Sequence, residues 1–295
     1  MSRFFGTGVA MVTPFLEDGS VNFDALENII EHLINGKVEY IVVMGTTAES
    51  ATLTKEEKHK IFEFTATITN KRIPLVAGIG GNDTAEVMDA VSKFNINGYE
   101  AILSVVPYYN KPNQEGIYQH YKAVAKASKL PIILYNVPGR TGVTMSAATT
   151  LRLANLDNII AVKEASANFD IFNEILAKKP NGFDLISGDD PITLPMIALG
   201  AVGVISVIGN ALPLQTSNMV RYCLKGDFKA AQPQHSSLLE FTRLCFVEGN
   251  PAGVKLAMKT LGVCDDNLRL PLVKVTQETK LKINEQLDLI ALQTV

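Results

Sequence analysis

Eight short runs of β-branched and aliphatic residues recur through the first two-thirds of the chain, each followed by a polar turn and a helix-length segment. They occupy 8–13, 40–44, 74–78, 101–106, 131–135, 159–164, 184–188 and 202–207. Strands that alternate with helices pair in parallel through right-handed crossovers, since a right-twisted strand feeding a helix packs back on its sheet only that way. Eight such units predict a closed (β/α)8 barrel, a TIM barrel, over 1–211. An open doubly wound sheet is the alternative. Against it, no strand–helix junction carries a complete dinucleotide fingerprint. Gly78-Ile79-Gly80-Gly81 follows a strand, but its third glycine comes directly after its second, so it reads as a tight turn.

Helix boundaries are written in side chains that satisfy orphaned backbone groups. Asn22 is placed to cap a helix whose apolar face is Phe23, Leu26, Ile29, Ile30 and Leu33, ended by Gly36. Thr54 and Glu57 form a capping box ahead of Ile61, Phe62 and Ile68. A helix is expected over about 84–97, and Asp190-Pro191 is expected to cap the one after the seventh run. Beyond Asn210 the strand pattern stops. Segments 214–225, 227–248, 251–262 and 273–292 read as helices, punctuated by Pro213, Gly226, Gly249-Asn250-Pro251 and Pro271. This C-terminal helical extension, 212–295, includes the last barrel helix and is expected to pack or to meet another subunit, without chemistry of its own.

Of the 295 residues, 47% are hydrophobic, enough to fill a core of barrel size. A net charge of −3 with no Lys/Arg run argues against a nucleic-acid or membrane-surface partner. No uninterrupted apolar stretch is long enough to span a bilayer, and the start, Met1 to Gly6, does not read as a signal peptide. Cys223, Cys245 and Cys264 are odd in number and dispersed, as expected of reduced thiols in a cytoplasmic protein. His32, His59, His120 and His235 show no ligand spacing, so no metal site is expected.

The sixth run, Ile159-Ile160-Ala161-Val162-Lys163-Glu164, ends a buried strand on a lysine. An unpaired ammonium is costly to bury, and desolvation frees the amine to attack a carbonyl. The plainer reading is that Lys163 snorkels to the rim or pairs with Glu164. In a barrel, functional groups gather at the carboxyl ends of the strands. There the chain delivers Thr46, Thr47 and Glu49 after the second strand, Tyr108 and Tyr109 after the fourth, Tyr135 and Arg140 with the fifth, Lys163 with the sixth, and Gly188 and Ile205 with the last two. This set suits Schiff-base chemistry on a keto acid. Hydroxyls would move the protons, Arg140 would clamp a carboxylate, and N–H groups of the Gly45-Thr46-Thr47 turn would hold another. Taken singly, Tyr135 fits a core tyrosine, Tyr108 and Tyr109 interface aromatics, Thr46 and Thr47 turn residues, Arg140 a solvated cation, and Glu49 a structural brace.

The stretches Gly45-Thr46-Thr47-Ala48-Glu49-Ser50, Tyr108-Tyr109-Asn110-Lys111-Pro112, Tyr135-Asn136-Val137-Pro138-Gly139-Arg140-Thr141, Val162-Lys163-Glu164 and Ser187-Gly188-Asp189-Asp190 resemble the dihydrodipicolinate synthase family, within the class I pyruvate-dependent aldolase barrels. The resemblance runs the length of the chain. It implies that Lys163 forms a Schiff base with pyruvate, and that Tyr135, Thr46 and Tyr109 relay protons, with Tyr109 supplied by a neighbouring subunit. It further implies that Thr47 holds the pyruvate carboxylate, that Arg140 receives the carboxylate of aspartate β-semialdehyde, and that Gly188 and Ile205 line the pocket through their backbones. The implied reaction is an aldol-type condensation followed by cyclisation, in the diaminopimelate–lysine pathway. It needs no metal or organic cofactor, and the implied assembly is a homotetramer of tight dimers.

Two departures from the family pattern matter. Ala48 stands where many members have glycine. Ser50, Ala51, Asn82, Glu86 and Tyr108 match the allosteric pocket of lysine-inhibited members, but Lys55 and Lys58 replace its two histidines. Two cations beside an incoming ammonium predict weak or absent feedback by lysine. The sister enzymes N-acetylneuraminate lyase and the 2-keto-3-deoxy sugar-acid aldolases are the nearest alternative, disfavoured by the Gly139-Arg140-Thr141 turn. A non-catalytic keto-acid sensor is the alternative of another class.

Overall fold

Eight parallel strands hydrogen-bond in chain order and close on themselves: β1 (Gly6–Ala10), β2 (Tyr40–Val43), β3 (Leu75–Gly78), β4 (Tyr99–Val105), β5 (Ile132–Asn136), β6 (Ile159–Glu164), β7 (Asp184–Ser187) and β8 (Gly203–Ser206). The computed structural model describes residues 4–292, so the first three residues of the chain's start and the last three of its extension fall outside the description. The barrel is wrapped by α1 (Phe23–Asn35), α2 (Lys55–Thr69), α3 (Thr84–Lys93), α4 (Gln114–Ala127), the one-turn α5 (Pro138–Thr141), α6 (Ala147–Leu153), α7 (Phe169–Lys178), α8 (Thr193–Leu199) and α9 (Pro213–Leu224). The helices α10 (Phe228–Phe246), α11 (Ala252–Thr260) and α12 (Gln277–Leu292) follow.

Two apolar layers result from the two-residue period of the strands. Ala10, Tyr40, Val42, Val76, Ala101, Leu103, Ile133, Tyr135, Ala161, Ile186 and Ile205 point inward and fill the barrel. Their alternates, among them Val9, Ile41, Val43, Ile102, Leu134, Val162 and Leu185, point outward under the helices. Closure at the β1/β8 seam depends on absent side chains: a Cβ on Gly203 would fall 1.9 Å from the Gly6 carbonyl oxygen. Asn210 locks the same seam, accepting from Val12 N at 3.0 Å and donating to the Ala10 carbonyl at 2.8 Å.

Both expected caps on the early helices are present: Asn22 accepts from Ala25 N, and Thr54 and Glu57 exchange backbone bonds reciprocally. Three expectations need correction. The first strand starts two residues before its apolar run and ends three before the run does, because Val12 and Thr13 turn to the Asn210 side chain and the Ala48 carbonyl instead of the ladder. The helix expected to reach Asn97 ends at Lys93, where Phe94 leaves to stack edge-on against Phe62 and Tyr99. Asp190 does not cap α8: its buried carboxylate accepts from Val207 N (2.8 Å) and Ile208 N (3.3 Å), bracing the ends of β7 and β8.

The chain beyond Asn210 divides into parts. Helix α9 lies against β1, β8 and α1 as the last barrel helix, while α10 to α12 pack on one another and on α8 and α9. Gly253 permits that packing, since a Cβ there would stand 2.7 Å from Cys245 Cα. All three cysteines are free and buried. No helix among the described residues is long and apolar enough to cross a membrane.

The barrel interior allows no methyl at position 8, where an added Cβ would lie 2.2 Å from the fully buried Tyr40 ring. Gly8→Ala is therefore expected to destabilise by about 1–3 kcal/mol, the usual cost of overpacking. A urea unfolding midpoint equal to wild type contradicts this reading of the core.

Candidate active site

Lys163 lies on the inward face of β6, two residues after Ala161, and is 4% exposed. It does not snorkel to the rim. It shares one rung of the barrel with Tyr135 on β5 and Ile186 on β7. Its Nζ stands 4.2 Å from the centre of the Tyr135 ring, an attractive position for an ammonium over a π-face. Gly188 makes room for the lysine stem: a Cβ there would meet Lys163 Cε at 3.1 Å and Ala165 Cβ at 2.9 Å. Burial and the neighbouring Asp190 raise the Asp189 carboxyl to about 6, an effect opposed by the charge of Lys163. Ile205 belongs to the same inner cluster as Tyr135.

Glu164 is not the partner of Lys163. Successive strand side chains point to opposite faces, so its carboxylate lies behind the sheet and is fully buried. There it accepts from Asn136 Nδ2 at 2.9 Å and Ser166 N at 2.9 Å. Asn136 also exchanges bonds with the Met145 backbone, giving 3.1 Å to its carbonyl and 2.9 Å from its N–H. Two outward side chains thus tie together the strands whose inward neighbours are Tyr135 and Lys163. Burial pushes the Glu164 carboxyl up to about 7.

On the second strand's loop, Thr46–Ala48 forms a single tight turn that opens at Gly45 and closes on Glu49, which adopts the left-handed conformation. The first N–H groups of such a turn have no partner within it. Thr46 is half-buried and Thr47 buried. Glu49 is the expected brace. Its Oε1 meets Lys255 Nζ at 2.5 Å, with both side chains shut off from solvent, and its Oε2 accepts from Arg269 N at 3.0 Å. Lys255 also donates to the Asn267 carbonyl at 2.8 Å and stands 4.4 Å from the Phe15 ring centre. Arg269 clasps the carbonyls of Gly19 and Thr52 and pairs with Glu57.

Contacts from Lys255, Arg269 and Asn250 to the turn were not legible in the sequence; they fit the expectation that the extension packs. Asn250 donates from Nδ2 to Thr47 Oγ1 at 3.0 Å. The sequence shows Gly249-Asn250-Pro251 only as a helix break. The remaining signal was Lys255 itself, a charge inside the otherwise apolar run Val254 to Met258.

Arg140 sits on α5 and faces solvent, so it is not packed against Lys163. Tyr109, 88% exposed and with φ 71°, is likewise not drawn into the barrel by this chain, and Tyr108 is also exposed. The other group of predicted residues lies on the segments that follow β2, β3 and β4. Ser50 and Ala51 follow the tight turn, Lys55 and Lys58 open α2, and Glu86 lies in the first turn of α3. The Asn82 carbonyl accepts from Asn110 Nδ2 at 2.9 Å, joining that group to the Tyr108 segment. Burial, then the charge of Lys55, lowers the affinity of half-buried Lys58 for its proton.

A closed (β/α)8 barrel with one dry lysine at the carboxyl end of its sixth strand and a tyrosine in register on its fifth is a barrel of the lysine-bearing, carbonyl-binding kind. The sequence profile of the Dihydrodipicolinate synthetase family matches residues 3–290, and the chain belongs to that family. The 4-hydroxy-tetrahydrodipicolinate synthase of Parabacteroides distasonis is 54% identical to it over 283 residues, 96% of this chain and 95% of that protein. The crystal structure of dihydrodipicolinate synthase from Aquifex aeolicus superposes with a TM-score of 0.94 at 43% identity, covering 98% of each chain. The chloride-inhibited dihydrodipicolinate synthase from Acinetobacter baumannii, solved with pyruvate, gives 0.94 at 38% identity over 97% of this chain and 98% of that one.

Glu164 yields a signed pH prediction. Its folded-state affinity for a proton is raised, from an ordinary 4.5 to about 7, so its contribution to stability is complete below 4.5 and is lost as pH rises through about 7. His120, lowered by burial to about 4, slopes the other way, so wild type alone does not isolate the effect. The stability difference, wild type minus Glu164→Gln, should fall steadily across that window. A difference that stays flat in denaturant titrations at several pH values refutes the assignment.

Proposed function

We propose that this chain condenses pyruvate with L-aspartate 4-semialdehyde through a Schiff base on Lys163, giving 4-hydroxy-tetrahydrodipicolinate in the diaminopimelate/lysine pathway. The observation that carries the reading is the amine on the inner face of β6, 4% exposed and level with Tyr135. In its neutral form the amine adds to the keto carbon; a proton given to the hydroxyl so formed lets it leave as water and leaves an iminium. That cation accepts the electrons released when the adjacent methyl gives up a proton, so the methyl carbon becomes a nucleophile toward the aldehyde. Transimination by the semialdehyde's own amine then closes the ring and releases the lysine. The lysine is the electron sink, so the reaction requires no metal or organic cofactor.

Tyr135, Thr46 and Tyr109 move the protons in this scheme. Thr47 holds the pyruvate carboxylate, with the backbones of Gly188 and Ile205 shaping the pocket. Arg140, exposed on a one-turn helix at the rim, is available to the semialdehyde's carboxylate as a two-pronged donor. A tyrosine as exposed as Tyr109 suits insertion into a second copy of the chain, in a homotetramer built as a dimer of dimers. The setting proposed is the cytoplasm. The shared name of the relatives and the Arg140 turn both weigh against sugar-acid cleavage.

Incubation with pyruvate followed by borohydride should add one reduced pyruvate adduct to the protein mass. Lys163→Ala should abolish the adduct and lower turnover by several orders of magnitude while the fold survives. A wild-type protein that gains no mass excludes the Schiff base and leaves the sensor reading.

Feedback by lysine should be weak or absent. Lys58, half-buried beside Lys55, meets an incoming ammonium with a repulsion of ~1 kcal/mol or more, depending on screening. An inhibition constant for lysine in the sub-millimolar range contradicts this.

A further inference from the structure

Thr47 and Asn250 meet 203 positions apart in sequence, 2% and 6% exposed, with Asn250 Nδ2 donating to Thr47 Oγ1 at 3.0 Å. A hydroxyl has one hydrogen and two acceptor sites. The amide occupies one acceptor site, so the hydrogen of Thr47 must turn elsewhere, and a buried hydroxyl without an acceptor is costly. Among the described residues the only side-chain bond of Thr47 is the one from Asn250, and Asn250 Oδ1 has no partner. Among the described residues, the hydroxyl hydrogen of Thr47 and the amide oxygen of Asn250 beside it have no partner in the protein.

The same two segments are joined again a short step away. Glu49 follows Thr47 by two residues, Lys255 follows Asn250 by five, and their buried ion pair closes at 2.5 Å. Gly253, which lets α11 approach α10, brings Asn250 to the turn, and Arg269 N holds the far oxygen of Glu49 at 3.0 Å. Asn250 is thus held beside Thr47 by contacts from the residues that follow it in the chain.

We propose that Asn250 is a positioning residue which, by donating to Thr47 Oγ1, turns the Thr47 hydroxyl into a dedicated donor for the carboxylate of the bound keto acid. This rests on the functional reading given above and adds to it a residue from the helical extension. An acceptor in place of the amide nitrogen would reverse the bond. Thr47 would then donate to position 250, and the substrate carboxylate would face a lone pair.

The test is steady-state kinetics on the full-length protein, with pyruvate and the semialdehyde varied in turn. Asn250→Ala should raise the KM for pyruvate about tenfold, about one hydrogen bond, with kcat and the KM for the aldehyde within about twofold. Asn250→Asp, nearly isosteric but an acceptor, should raise it about a hundredfold. In a Thr47→Val background Asn250→Ala should add nothing further, because the asparagine acts only through the hydroxyl. Should Asn250→Ala fail to fold, Asn250→Ser replaces it with the same expectations. An unchanged pyruvate KM, or the same tenfold loss in the Thr47→Val background, overturns the inference. If wild type forms no borohydride-stable pyruvate adduct, the functional reading falls and takes this inference with it. If wild type forms the adduct and the Asn250 variants share its pyruvate KM, only this inference falls.

Discussion

An amine kept out of water must be solvated by the protein around it, and the closed barrel meets that demand for Lys163. The rung on which it sits offers the face of Tyr135, and the carboxyls of Asp189 and Asp190 act on it electrostatically. No carboxylate forms an ion pair with it among the described residues. A lysine locked in such a pair would be a poor nucleophile, because its proton would be held. The strand's period prevents the obvious pairing: Glu164, one residue on, is turned to the far side of the sheet, where it serves Asn136 and Ser166. Along the same two strands, inward Tyr135 and Lys163 alternate with outward Asn136 and Glu164.

Around that amine the mouth is assembled from parts of different rigidity. The tight turn bearing Thr46 and Thr47 is held at Thr47 and at its closing residue, Glu49, by buried polar contacts with the extension. Removing one member of a buried pair such as Glu49 and Lys255 costs roughly 3–5 kcal/mol, far more than an exposed pair contributes, so this contact constrains geometry strongly. Arg140 and Tyr109 stand at the other extreme, out in solvent. The contrast is between a stiffly held turn near Lys163 and an open rim. The helices beyond the barrel thus reach the turn at the end of β2 as well as packing on the scaffold.

Much of this was legible residue by residue. Asn22, Thr54 and Glu57 announce their helices because caps are local interactions between residues three apart. Lys163 stood out because a charge at the end of an apolar strand conflicts with burial. Asp190 misled for the same local reason: beside Pro191 it has the form of a cap, yet its bonds run to Val207 and Ile208 across the strand ends. The helix end at Lys93 was hidden because Phe94 leaves for an aromatic cluster whose other members come from α2 and β4.

The sequence by itself determined the eightfold strand–helix alternation, the lysine that ends the sixth strand and the hydroxyls and guanidinium that follow the others. Each of these is a matter of short-range periodicity or of one residue's chemistry in its own neighbourhood. Only the tertiary structure decided which face Glu164 takes, that Asp190 braces β8, and that Asn250, Lys255 and Arg269 return to the turn holding Thr47. Those contacts join residues far apart in the chain. A hydrogen bond across such a distance leaves no periodic trace, because it forms only after the barrel has closed and brought its ends together.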